Sequence, residues 1–168
     1  MMGRKMPILL VEDDPQRVAR MSDWLPDTVR FVVCPVGGQA LGVLSRCGGN
    51  DFGGVMLDHD LSEHAAQTGQ LTGLDVADSV MWNVDYTVPI MVHSTNGSRA
   101  PLMVDLLSTN FSVTRTPYDK LTRELFLEWL AVCLEEWGDK WDTTMPFVDR
   151  NRERRDLRRE SHGWLDQT

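Results

Sequence analysis

Five times in succession, a short apolar run is followed by a segment with helical spacing. This alternation constrains the fold more than any other feature of the chain. The runs are MPILLV (Met6–Val11), TVRFVVCPV (Thr28–Val36), GGVMLDHD (Gly53–Asp60), TVPIMVHS (Thr87–Ser94) and FSVTRT (Phe111–Thr116). Short runs of this kind read as buried strands. After the first comes PQRVARMSDWL (Pro15–Leu25), which places Val18, Met21 and Leu25 on one helical face. Asp14 suits its N-cap and Pro15 its first turn. Further helices are expected over Gly37–Gly49, Leu74–Asn83 and Gly97–Asn110, the last tolerating Pro101 only in its first turn. The fifth, Asp119–Trp137, is long and amphipathic, with Leu121, Leu125, Trp129 and Val132 as its apolar stripe. Such alternation implies an α/β protein: a doubly wound, five-stranded parallel sheet with right-handed crossovers and helices on both faces.

The chain has 168 residues. The pattern fills residues 1–137 as one domain, and residues 138–168 form a polar C-terminal extension. Its RNRERRDLRRE run reads as a solvated helix or a mobile tail. Trp141, Phe147 and Trp164 give the extension a second reading, as a surface for a partner or for a homo-oligomer. The polar stretch Leu61–Gly73 is long for a βα connection, where about 2–6 residues is usual. A net charge of −8 argues against an extended nucleic-acid surface. It leaves room for a small phosphorylated ligand held by a few local cations. Cys34, Cys47 and Cys133 fit no metal spacing and read as reduced, buried thiols. Met81, Met91 and Met103 read as core. No apolar run approaches the ~18 residues of a membrane span, and the start meets acids too soon for a signal peptide. A cytoplasmic protein without membrane partners is expected.

The third strand poses the chemical question, because Val55, Met56 and Leu57 run straight into Asp58, His59 and Asp60. Burying an isolated carboxylate costs several kcal/mol at least. In a doubly wound sheet, however, ligands bind beyond the carboxyl ends of the strands. With strand order 2-1-3-4-5, the ends of strands one, three and four are neighbours. They carry Glu12, Asp13 and Asp14; Asp58, His59 and Asp60; and His93, Ser94 and Asn96. Carboxylates at close range repel one another or bind a cation. A hard divalent ion, Mg²⁺ or Mn²⁺, is the economical solution. For Glu12, Asp13 and Asp14, a helix N-terminus favoured by the macrodipole is the competing reading. Ser94 and Asn96 serve equally well as caps of the fourth helix. Either histidine has the competing role of a hydrogen-bonded structural residue.

The same residues carry a resemblance. LLVEDD, VMLDHDL, VPIMVHS and TPYDKL, in that β/α order, resemble a two-component receiver domain over Pro7–Trp137, which implies a receiver, flavodoxin-like fold. Glu12 and Asp13 match the receiver's acidic pair, Asp58 its phosphoaccepting aspartate, Ser94 its Ser/Thr, and Pro117 the proline after its last strand. A receiver carries a lysine just before that proline, and Thr116 stands there instead. More narrowly, EDDPQR, LDHDL, TG and VHSTN resemble the cyclic-phosphate processing receiver family. The matching residues are Asp13, Asp14, Arg17, Asp58, His59, Asp60, Thr72, Gly73, His93, Ser94 and Asn96. That resemblance implies metal-dependent processing of a nucleotide or RNA-end cyclic phosphate.

The chemistry accommodates it. Hydrolysis of a cyclic phosphodiester needs a metal, a base for water and an acid for the leaving oxygen. Asp13, Asp58 and Asp60 are candidate ligands for Mg²⁺ or Mn²⁺, assisted by Glu12 or Asp14. His59 and His93 are candidate base and acid, with Asp58 in the catalytic set. Ser94, Asn96 and Arg17 are candidate contacts to phosphate oxygens of a small molecule or an RNA end. The alternative is a non-catalytic or atypical receiver-like signalling module. It would bind a metal, ligand or partner at its acidic face, or accept a phosphoryl group on Asp58.

Overall fold

A computed structural model describes residues 5–48, 51–61 and 71–140. Strands β1 (Met6–Val11), β2 (Val29–Cys34), β3 (Gly54–Leu57), β4 (Ile90–Val92) and β5 (Val113–Arg115) form one parallel sheet in the order β2-β1-β3-β4-β5. The helices are α1 (Pro15–Ser22), α2 (Gly37–Arg46), α3 (Gly73–Asn83), α4 (Ala100–Ser108) and α5 (Arg123–Lys140), with a short 3₁₀ turn at Tyr118–Lys120. The expected doubly wound sheet and its strand order are present.

Alternation along β1 separates the core into two. Leu9 and Val11 face one side with Ala40, Leu44, Val76, Val80, Met103 and Leu107 of α2, α3 and α4. Met6, Ile8 and Leu10 face the other, with Met21 of α1 and Phe126, Trp129, Leu130 and Cys133 of α5. Both faces of the central strands are therefore covered, as a parallel sheet requires. β3 begins with Gly54 because a side chain there would press on Cys133 Sγ at 2.8 Å and on the Trp129 ring at 2.9 Å. Helix α5 can thus lie close against the sheet.

The structure shortens the expected strands to their hydrogen-bonded centres. The edge strand β5 keeps three residues of FSVTRT, and β4 three of TVPIMVHS. It also corrects the stripe assigned to α5. Leu125 and Val132 are exposed, whereas Phe126, Trp129, Leu130 and Cys133 are buried. Spacings of three, four and seven from Phe126 define the buried face. Leu125 and Val132 lie one position before Phe126 and Cys133, about 100° around the helix. Pro101 lies in the first turn of α4, as required. Cys34, Cys47, Cys133, Met91 and Met103 are buried, and Met81 is half-buried against the core. No helix among the described residues is long and apolar enough to cross a membrane. Residues 62–70 of the polar stretch, Trp141, Phe147, Trp164 and the RNRERRDLRRE run lie outside the described residues.

Candidate functional site at the strand ends

Parallel pairing carries three chain segments to one edge of the sheet. Backbone ladders continue one residue past β3 and β4, so that Asp58 N donates to Val11 O at 3.0 Å and His93 N to Leu57 O at 3.0 Å. Glu12, Asp58 and His93 therefore leave the sheet side by side, at the ends of β1, β3 and β4. One potential ligand atom from each lies within 4.8 Å of the other two, and all three residues are buried. Here the burial cost of charge is met by specific partners.

Glu12 is fully buried and satisfied at both oxygens. Oε1 accepts from Asp14 N at 3.0 Å, and Oε2 lies 3.0 Å from His93 Nε2. Burial raises its pKa, but the hydrogen bond and charge of His93, the Asp14 amide and Arg17 together outweigh that, leaving the carboxyl below its ordinary value. The imidazole is buried as well, and its Nδ1 has no partner among the described residues. Asp58 has two different oxygens. Oδ1 accepts from His59 N at 2.7 Å and more loosely from Asp60 N at 3.4 Å. Oδ2 faces Arg17 Nη1 at 3.4 Å.

Arg17 is the hub of charge compensation. Nη1 also lies 3.6 Å from Glu12 Oε2, and Nε lies 3.6 Å from Asp14 Oδ2. Among the described residues no second lysine or arginine pairs with these carboxylates. The guanidinium stacks over the Tyr118 ring at 4.6 Å. Asp14 performs the capping its position suggests, accepting from Gln16 N at 2.8 Å and from Arg17 N at 3.4 Å. Among the described residues no lysine or arginine pairs with Asp13 in this way. Burial and the charges of Glu12 and Asp58 raise its carboxyl to about 6.

Asp60 leaves this cluster. It is exposed, lies 2.8 Å from His59 Nδ1, and accepts from Asn96 Nδ2 at 3.2 and 3.3 Å. Asn96 in turn orders the approach to α4, its Oδ1 accepting from Ser98 N and Arg99 N. Ser94 is fully buried, and its hydroxyl oxygen accepts from Asn96 N at 3.2 Å. The strand ends thus bear two groups: an inner one of Glu12, Asp58, His93 and Arg17, and an outer one of His59, Asp60 and Asn96. Asp13 is the carboxylate beside the inner group.

Two residues that lie in the matched motifs, Tyr118 in TPYDKL and Gly73 in TG, prove to shape the site. Tyr118 follows Pro117 and gives Arg17 its platform; its amide also donates to His93 O at 2.9 Å. Proximity of an aromatic to a residue a hundred positions earlier has no local signal. Gly73 opens α3 with its amide on His59 O at 3.0 Å, so tightly that a Cβ would overlap the Asp58 carbonyl oxygen. The preceding Thr72 is joined to Asp75 in a capping box.

No family model matches the chain, and no curated protein matches its sequence. Solved structures do. The signal receiver domain of a putative LuxO repressor protein from Vibrio parahaemolyticus superposes with a TM-score of 0.62 at 17% identity, over 84% of this chain and 99% of that one. A CheY-like response regulator receiver domain from Methanospirillum hungatei gives 0.60 at 14% identity, over 80% and 98%. The receiver domain of a sensor histidine kinase from Pseudomonas aeruginosa, solved with magnesium coordinated in its active site cleft, gives 0.56 at 18% identity, over 80% and 98%. With the sheet order and the two-sided helical cover, these likenesses establish that the chain has the receiver fold.

Proposed function

We propose that the chain is a receiver-like signalling module in which Asp58 accepts a phosphoryl group in the presence of Mg²⁺. The carrying observation is the asymmetry of the Asp58 carboxylate. Backbone amides hold Oδ1, while Oδ2 faces a cation beside Glu12. A fixed carboxylate with one oxygen left free of the backbone amides is suited to attack phosphorus. In that step Asp58 Oδ2 forms the new P–O bond. The bond from phosphorus to the donor's leaving group breaks, and the leaving group departs with the electron pair. The product is an aspartyl phosphate, which water later cleaves.

The donor set fits a hard divalent ion. Asp13 and Asp58 would offer it carboxylate oxygens, and Asp13 is a crowded carboxylate whose repulsion a cation would relieve. Glu12, committed to His93 and the Asp14 amide, has less to offer. Bound there, Mg²⁺ would supply positive charge for the oxygens of the incoming group. The magnesium in the Pseudomonas receiver's cleft supports this choice. The test is incubation with acetyl phosphate and Mg²⁺, read by intact mass. The protein should gain one phosphoryl group, and Asp58→Asn should gain none. Failure of the parent protein to label, with Mg²⁺ binding confirmed, overturns the reading.

A second reading has one observation on its side. His59 Nδ1 lies against the Asp60 carboxylate at 2.8 Å, which orients the imidazole. An oriented imidazole beside a phosphate-binding site suits acid–base hydrolysis of a cyclic phosphate on a nucleotide or an RNA end, with Mg²⁺ or Mn²⁺. Turnover of a nucleoside cyclic phosphate that vanishes in His59→Ala would favour it over the first.

A further inference from the structure

We infer that Arg17 is the side chain that grips the phosphoryl group on Asp58, and that Tyr118 holds its guanidinium in place; this rests on the phosphoacceptor reading above. Transfer to Asp58 Oδ2 delivers three anionic oxygens into the space that Oδ2 faces. Nη1 of Arg17 is already there, 3.4 Å from Oδ2 and 3.6 Å from Glu12 Oε2. Among the described residues no other lysine or arginine pairs into this centre. Thr116, the last residue before Pro117, brings no charge.

The guanidinium is suited to the task. Its contacts to three carboxylates are all between 3.4 and 3.6 Å, long for charge-assisted hydrogen bonds. It is a shared counter-ion with hydrogen-bonding capacity to spare, and phosphate takes an arginine's forked donors two at a time. The Arg17 Cζ lies 4.6 Å from the Tyr118 ring centroid, a cation–π contact that restrains the guanidinium before the anion arrives. Arginine's side-chain entropy is already partly spent on that stack. The residue is about a quarter exposed, so a donor molecule can reach it from solvent.

The roles of resting counter-ion and phosphoryl ligand separate experimentally. Removing Arg17 should not weaken Mg²⁺ binding, because it removes a competing positive charge. It should weaken everything that depends on phosphoryl oxygens. We expect Arg17→Ala to label from acetyl phosphate at least about 10-fold more slowly than the parent, the loss of a charged hydrogen bond. Affinity for trifluoroberyllate, a phosphoryl mimic, should fall in parallel, with Mg²⁺ affinity equal or higher. Arg17→Lys should fall between, keeping the charge and losing the fork. Tyr118→Leu, which leaves every acid in place, should lower trifluoroberyllate affinity a few-fold and serves if the Arg17 variants lose their helical circular dichroism. Labelling of Arg17→Ala at the parent's rate overturns the inference while leaving Asp58 as acceptor. For unfolded Arg17 variants, unchanged trifluoroberyllate affinity in Tyr118→Leu does the same. A parent protein that does not label overturns both.

Discussion

Among the described residues no lysine or arginine pairs with Asp13. Burial and the negative charges of Glu12 and Asp58 lift its pKa from the ordinary 3.8 to about 6. An acid with a raised folded pKa destabilises the folded state once it must ionise. The cost is absent below about pH 3.8, grows as pH rises through the interval, and is complete above about 6. Glu12 has the opposite sign, since its lowered pKa contributes stability that is lost as pH falls below 4.5. Asp13 is partly open to solvent, which screens the effect, so the net cost at neutral pH is of the order of 1 kcal/mol. Asp13→Asn should therefore make the metal-free protein more stable by about that amount at pH 7, and no more stable at about pH 4, in urea titrations. The same variant should bind Mg²⁺ at least about tenfold more weakly, because it trades a charged ligand for a neutral one. A variant less stable than the parent at neutral pH would show that Asp13 is compensated by a partner. Arg17 poses the complementary case, a cation shared among more acids than it can satisfy.

At the scale of elements, the site depends on how closely α3 approaches the end of β3. Gly73 makes that approach, with its amide on His59 O and no room for a side chain beside the Asp58 and His59 backbone. Gly73→Ala must either push α3 outward or shift the Asp58–His59 peptide, at a cost of about 1–3 kcal/mol. Both routes disturb the amides that hold Asp58 Oδ1, so labelling at Asp58 should fall more steeply than stability does. Thermal unfolding and acetyl phosphate labelling of one preparation would compare the two. Close approaches of this kind are poorly legible in a sequence, because they join residues distant along the chain. What was legible is what repeats or caps: the five strand-and-helix units, the Asp14 cap, and the meeting of Glu12, Asp58 and His93 that follows from strand order. The α5 stripe was misread because Leu125 and Leu121 are four apart and apolar, like Phe126 and Leu130. Only the packing of Phe126 between Trp24, Phe31 and Trp129 decides which face turns inward. Strand alternation alone would put Asp58 and Asp60 on one side. The turn after β3 instead sends Asp60 to Asn96, an outcome set by Asn96 on another strand end.

For the molecule as a whole, the sheet joins this charge cluster to both cores. Residues Met56 and Leu57 sit in opposite hydrophobic clusters just before Asp58, and Leu10 and Val11 do the same before Glu12. Repulsion at the strand ends therefore acts on the folded state globally, and a ligand that relieves it stabilises the entire domain. This gives a pH signature for the ion. Without metal, Asp13 makes stability decline as pH rises from 3.8 to about 6. A cation on Asp13 holds the carboxylate ionised, which lowers its folded pKa beneath the unfolded value and reverses the sign of its contribution. The stabilisation by Mg²⁺ should thus be small at about pH 4.5, increase steeply through about 6, and level off above. At a concentration 100 times the dissociation constant it should reach about 2.7 kcal/mol. Thermal unfolding across that range, with and without Mg²⁺, reads the difference directly. Asp58→Asn should flatten the curve, as should Asp13→Asn. A stabilisation independent of pH would mean that the ion binds elsewhere, since no ligand set containing Asp13 can escape competition with its proton.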